Sequence, residues 1–284
     1  MKTAAYFTLA CSSLILATQT QAQTTITGWT FDSDGLGVNL SPAPSTGNGT
    51  ATTVELTTSL TTPPSVAEPD IINTVTGSST SSTPDTWRIR GNGASPNNGN
   101  GWTPAAAIGT QGAEFAVSTV GFDNIQLSFD IAPTTKGTGY MQVQYTLDDT
   151  ASSITWANAE LSDSANSSLV LNNTTSASGG NGLVVGYYLN MVGTAQFYND
   201  VTVNLSSIAG ANNDANFAFE IVNAAEGTAD LAANDAEVGT TGNWSLDNVV
   251  ASGVSTVPEP SSLALTGSGL ALLGTILRFK NRKA

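Results

Sequence analysis

Histidine is absent from the 284 residues, and cysteine occurs once, at Cys11, close to the N-terminus. Those absences exclude Ser-His-Asp and Cys-His nucleophilic sites from the rest of the chain, together with zinc sites built on imidazole or thiolate. Positive charge is almost as scarce. Between residues 23 and 257 the only basic side chains are Arg88, Arg90 and Lys136, set against 21 acidic ones, a net charge of −18. Such a body repels a phosphate backbone and anionic lipid, so nucleic acid is excluded as a partner. Charged residues make up only 11% of the chain, against roughly 25% in an average soluble domain. Ser, Thr, Asn and Gly take their place. No Gly-rich, Lys-containing phosphate loop occurs, and no stretch of about ten residues or more in the body shows helical spacing.

What is present begins with the two ends. Lys2, the mostly apolar run Ala4 to Ala17 and the small residues Thr20 and Ala22 at the −3 and −1 positions predict a signal peptide over 1–22, with Gln23 as the first mature residue. A lipoprotein signal ending at Cys11 fails on length, because Leu14, Ile15 and Leu16 extend the apolar run past it. The mature chain then holds no cysteine and no disulfide. At the other end, small residues from Gly253 to Thr256 lead into Val257-Pro258-Glu259-Pro260-Ser261-Ser262. An apolar segment over 263–277 and a basic tail over 278–284 follow. Pro258 and Pro260 keep the approach extended. As one helix the apolar segment would reach roughly 22 Å, short of a roughly 30 Å hydrocarbon core. Gly267, Gly269 and Gly274 weaken it further. The basic tail keeps the extreme end on the cytoplasmic side.

The order Pro258-Glu259-Pro260, short apolar segment, Arg/Lys-rich end resembles the PEP-CTERM sorting signal, and the unit is assigned to 254–284. The resemblance implies processing by an exosortase, a membrane protease, with transient residence in the inner membrane. It also implies a final place at the surface or in the exopolysaccharide matrix of a Gram-negative bacterium.

Between the signals, residues 23–253 read as strands. Ile125, Leu127, Phe129 and Ile131 alternate with polar residues, and Met141, Val143, Tyr145 and Leu147 do the same after the turn Lys136-Gly137-Thr138-Gly139, which suggests a hairpin. Val201, Val203 and Leu205 form another run, and Phe217, Phe219 and Ile221 a further one beyond Gly210 to Asp214. Shorter runs lie at 26–31, 54–56, 87–90, 114–117, 183–189 and 244–251, whereas 41–84 reads largely as Ser/Thr/Pro-rich loop. The expected fold is all-β, an antiparallel two-sheet sandwich.

Gly28-Trp29-Thr30-Phe31-Asp32 at the start and Asn243-Trp244-Ser245-Leu246-Asp247-Asn248 followed by Val249 to Gly253 at the end resemble the edges of concanavalin-like or carbohydrate-binding jelly rolls. In such folds the first and last strands are neighbours, and an Asp of the last strand often holds a structural calcium. The resemblance therefore implies that Asp247 faces Asp32 and Asp34 around a calcium ion. The other reading of Asp247 is a carboxylate accepting backbone hydrogen bonds at a turn.

Candidate ligand-binding residues are the aromatics. Trp87, Trp102, Trp156 and Tyr187-Tyr188 present flat apolar faces suited to sugar rings, and Trp102 stands out because it lies in the polar loop containing Asn98 and Asn100. No catalytic constellation is found. The acidic side chains read mostly as solvated surface, the group Asp230, Asp235 and Glu237 included, since it lacks calcium-loop order. Two functions follow: a structural or glycan-binding surface protein, or a secreted polysaccharide hydrolase working with two carboxylates.

Overall fold

The computed structural model describes residues 22–54, 69–81, 84–89, 102–163, 170–172, 187–239 and 242–256. The signal peptide, the strand expected from residue 183 up to 186, Asn98, Asn100, the motif Pro258, Glu259 and Pro260, the apolar segment 263–277 and the tail 278–284 lie outside the described residues.

Fifteen strands occur among the described residues, with two 3-10 turns and no α-helix. In chain order they begin with β1 (Thr24–Trp29), β2 (Gly37–Val38), β3 (Gly49–Val54), β4 (Asp70–Ile72) and β5 (Thr86–Ile89). The middle of the chain gives β6 (Gly112–Val117), β7 (Phe122–Pro133), β8 (Tyr140–Thr146), β9 (Ala157–Asn158) and β10 (Leu161–Asp163). The remainder are β11 (Val170–Asn172), β12 (Tyr188–Asn190), β13 (Tyr198–Asn204), β14 (Ala218–Asn223) and β15 (Trp244–Ser255).

They form two antiparallel sheets. The first runs β10-β13-β7-β15-β5-β4-β2 with β1 also paired to β15; the second runs β11-β12-β8-β14-β6-β3 with β9 on β8. The inward residues of both belong to one hydrophobic core. Aromatic rings bridge the sheets: Trp29 and Trp87 of the first lie 5.0 and 6.0 Å from Phe115 of the second, and Phe115 stacks on Phe219 at 5.2 Å. Burying so much ring area in edge and offset contacts contributes beyond area alone, about 0.5–1.5 kcal/mol per pair.

Two expectations change. β7 and β8 have the expected alternation but are not a hairpin, because β7 pairs with β13 and β15 while β8 pairs with β12 and β14. The turn between them carries the chain from one sheet to the other. It packs backbone against backbone on the approach to β15, where a Cβ on Gly242 would lie 2.1 Å from the carbonyl oxygen of Lys136. Period two fits either connection, since both strands point one face into the same core. Within 41–84 the described residues include the short strands β3 and β4, set among longer stretches without regular structure. Several acids are not solvated: Asp70, Asp130, Glu220, Asp230 and Asp247 are buried.

β1 pairs along β15, Thr24 opposite Gly253 and Trp29 opposite Val249, so first and last strands are neighbours as the edge motifs suggested. β15 carries a bulge between Asp247 and Val250 in its pairing with β7. Asn248 holds the left-handed backbone there, with φ 50°. This extra residue resets the phase, so that Trp244, Leu246, Val249 and Ala251 all reach the core.

Candidate functional site

The bulge puts Asp247 on the outer face of the first sheet, directly opposite Asp130 of β7. Both are about 1% exposed because the stretch after β4, containing Gly77-Ser78-Ser79-Thr80, lies across them. Asp247 accepts from the Ser78 hydroxyl at 2.7 Å and from the Asn248 amide N–H at 2.8 Å. Asp130 accepts from the Ser79 N–H (2.8 Å) and hydroxyl (2.6 Å), and from the Asp200 N–H at 2.7 Å. Asn248 joins the two carboxylates. Its Nδ2 lies 2.8 Å from Asp130 Oδ2, 3.1 Å from Asp247 Oδ2, 3.0 Å from the Thr80 hydroxyl and 3.2 Å from that of Ser78. Ser and Thr suit this strap because each adds a short donor without bulk. Asn199 Nδ2 fastens the strap further by donating to the Gly77 carbonyl at 3.0 Å. Burial pushes the Asp247 carboxyl up to about 7, against the hydrogen bonds from Ser78 and Asn248, and Asp130 and Asp32 add repulsion.

The calcium implied by the edge resemblance does not fit these residues. Asp32 is close enough to repel Asp247, but Asp34 is not among the groups acting on it, and its Oδ2 is shielded with no partner. No group of three or more acidic side chains that could hold a metal ion occurs among the described residues. Where a cation would sit between Asp130 and Asp247, the amide nitrogen of Asn248 already stands. Asp247 therefore works as a buried acceptor at a bulge, close to the second reading of it, and Asp130 is the partner that sequence reasoning missed.

Trp102 is not an exposed platform. It is 1% exposed, and its ring centroid lies 4.4 Å from that of Trp244, in the core. Trp87 and Tyr188 are buried as well, whereas Trp156 and Tyr187 are half-buried. Asp230, read as surface, is buried and accepts a short hydrogen bond from the Thr138 hydroxyl, with burial raising its carboxyl to about 7.

Next to the acid-amide network the strap walls a cleft of about 420 Å³. Thr74, Val75 and Thr76 of the strap form one side; Ala195, Gln196 and Phe197, leading into β13, form another; Ala132 to Thr135 and Ser245 complete it. That volume lies in the range of small-ligand sites. None of these residues is charged, although the body around them is strongly acidic. Ser245 is fully buried and its hydroxyl has no hydrogen-bond partner, an arrangement that usually marks a missing partner in a native structure. No protein-family model matches this sequence, and no curated protein is significantly similar to it.

Proposed function

We propose that this chain is an exported, exosortase-sorted surface or matrix protein whose body is a jelly-roll-like sandwich that binds neutral glycan. In this reading residues 1–22 direct export, 254–284 are the sorting signal, and 263–277 cross the inner membrane until processing. The observation that supports glycan binding is the uncharged, hydroxyl-lined cleft beside Ser245. Sugars offer donors and acceptors on every side, so ring hydroxyls would pair with the exposed hydroxyls of Thr74, Thr76 and Thr135 in the cleft, with buried Ser245 in its lining. The Thr and Gln groups would orient the rest, and the net charge of −18 would turn away acidic polysaccharide.

The test is titration of the purified full chain with neutral and uronic-acid oligosaccharides. Binding of the neutral set, lost in Ser245→Leu and kept in Trp102→Phe, is the expected result. Preference for the acidic set, or equal binding by Ser245→Leu, would remove the cleft from the reading.

The hydrolase reading has one observation in its favour, the pair Glu114 and Glu220 directly opposed on β6 and β14. Release of reducing ends from a neutral polysaccharide, abolished by Glu220→Gln, would support it. Glu220 is only 3% exposed, which favours the binding reading.

A further inference from the structure

The floor of the cleft and the acid-amide network are neighbouring pairs on one face of the first sheet. β7 and β15 pair Asp130 with Asp247 and, next along that face, Ala132 with Ser245. Phe129 and Ile131 point into the core, which leaves Asp130 and Ala132 together on the outer side. Two stretches of chain rise beside this floor. Thr74, Val75 and Thr76 of the strap make the near wall, and Ala195, Gln196 and Phe197 make the far one. No hydrogen bond among the described residues holds Thr74, Val75, Thr76, Ala195 or Gln196, so where each wall stands depends on what fastens the chain beyond it.

Both stretches come down on Asp130. The strap continues from Thr76 to Ser79, whose N–H and hydroxyl donate to Asp130 Oδ2 at 2.8 and 2.6 Å. The far stretch continues from Phe197 to Asp200, whose N–H donates to Asp130 Oδ1 at 2.7 Å. Asn248 Nδ2 also donates to Oδ2, at 2.8 Å. A carboxylate offers about four acceptor positions and no donor, which suits this set. The far stretch needs an anchor, because it joins β13 through a register shift between Tyr198 and Val201, and Asp200 holds left-handed backbone there, with φ 52°. Such a conformation persists in a non-glycine residue only where its surroundings impose it.

We infer that Asp130 is the positioning residue of the cleft: its two oxygens, one fastened to each wall, set the separation across which a ligand must fit. This role rests on the reading of the cleft as a glycan site, whereas the linkage of the walls is measurable without any ligand. Asn199 assists, since its Nδ2 donates to the Gly77 carbonyl at 3.0 Å and ties the far stretch to the strap directly. A sugar touching both walls binds the fastened state, so its apparent affinity scales with the fraction of molecules in which both walls are held.

The experiment compares amide hydrogen exchange and oligosaccharide binding in the purified full chain and in Asp130→Asn, at a temperature where both are fully folded. The substitution keeps the size of the side chain and one acceptor oxygen. Three donors meet Oδ2 and one meets Oδ1, so the oxygen stays with Ser79 and Asn248 while the new NH2 turns toward the Asp200 N–H. The far wall is then released. Exchange at Asp200 should quicken, with Ser79 little changed, and binding of neutral gluco-, manno- and galacto-oligosaccharides should weaken about tenfold if the far wall is held in only about a tenth of the molecules. Trp102→Phe, altered in the core, should change neither. In wild type, saturating oligosaccharide should slow exchange at Ser79 and Asp200 together, although neither lines the cleft. Unchanged exchange at Asp200 in Asp130→Asn, quickened exchange with undiminished affinity, an equal loss in Trp102→Phe, or bound oligosaccharide that slows neither amide would each overturn the assignment. A wild type that binds none of these oligosaccharides, while Asp130→Asn still frees Asp200, would overturn the glycan reading and uphold the linkage of the walls.

Discussion

Replacing Asn248 separates two roles that the structure gives it. Its backbone is left-handed, with φ 50°, and its amide nitrogen stands between two buried carboxylates. Asn248→Gly keeps the backbone relaxed and removes only the amide, whose charge-assisted bond to Asp130 at 2.8 Å is the better of the two. Such a bond is worth about 1.5–3 kcal/mol, and losing it leaves Asp130 and Asp247 facing each other with their hydroxyl and N–H donors alone. Asn248→Ala also forces a Cβ residue into the left-handed region, adding about 1–2 kcal/mol. The expected order is wild type, then Gly about 2–3 kcal/mol lower, then Ala about 3–5 kcal/mol lower. Urea unfolding at pH 7 followed by tryptophan fluorescence reads it, provided the slope against denaturant is unchanged among the three. If Asn248→Gly lies within about 0.5 kcal/mol of wild type, the amide is not what holds the carboxylates together. If Gly and Ala are equal, the left-handed bulge is misassigned.

Stability should fall as pH rises from about 4 to 8, the reverse of a protein held by salt-bridged carboxylates. Glu220, raised from 4.5 to about 8, and Asp247, raised from 3.8 to about 7, bind protons more tightly folded than unfolded. The stabilisation from that proton is complete below the unfolded value and gone above the folded one. After allowance for solvent screening each removes on the order of 1–3 kcal/mol. Tm measured between pH 4.5 and 8.5 should decline steadily, and a rise across that range would contradict the burial of both groups. Trp102→Ala should lower stability by about 3–5 kcal/mol through the cavity it opens against Trp244, while Trp102→Phe should cost much less because it also deletes an indole N–H that has no acceptor. In the producing cell Glu259→Ala should leave a larger precursor in the membrane fraction; an unchanged mature mass on a gel would argue against recognition of the Pro258-Glu259-Pro260 motif.

Strands were readable wherever one face alternates cleanly, as in β7, β8, β13 and β14, because period two is imposed by the pleat itself. Their pairing was not, since the Lys136 to Gly139 turn is as compatible with a change of sheet as with a hairpin. The outer faces were harder still. Asp130 and Glu220 occupy the polar positions of alternating strands, which normally means water, and only the tertiary path of the strap and loops buries them. Trp102 misled for the converse reason: its Asn/Gly neighbours describe the loop, whereas the indole answers to Trp244. Asn248 did leave a trace, the break in alternation between Leu246 and Val249, which marks a bulge once β15 is known to be a central strand. The orphan hydroxyl of Ser245 has no sequence signature, because being unpartnered is a property of surroundings.

The neighbouring of β1 and β15 also has a mechanical meaning. β15 is twelve residues long and is held by β1, β5 and β7 at once. Ser245 of the cleft lies near its beginning, and the described chain leaves the sheet just beyond its end at Thr256. A ligand pulling at Ser245 and a tether pulling beyond Thr256 would therefore stretch one and the same strand, over roughly 35 Å at 3.4 Å per residue. Tension along that line loads the flanking hydrogen bonds together, in shear, instead of peeling them apart one by one. The second sheet and its loops would stand outside the path of the force.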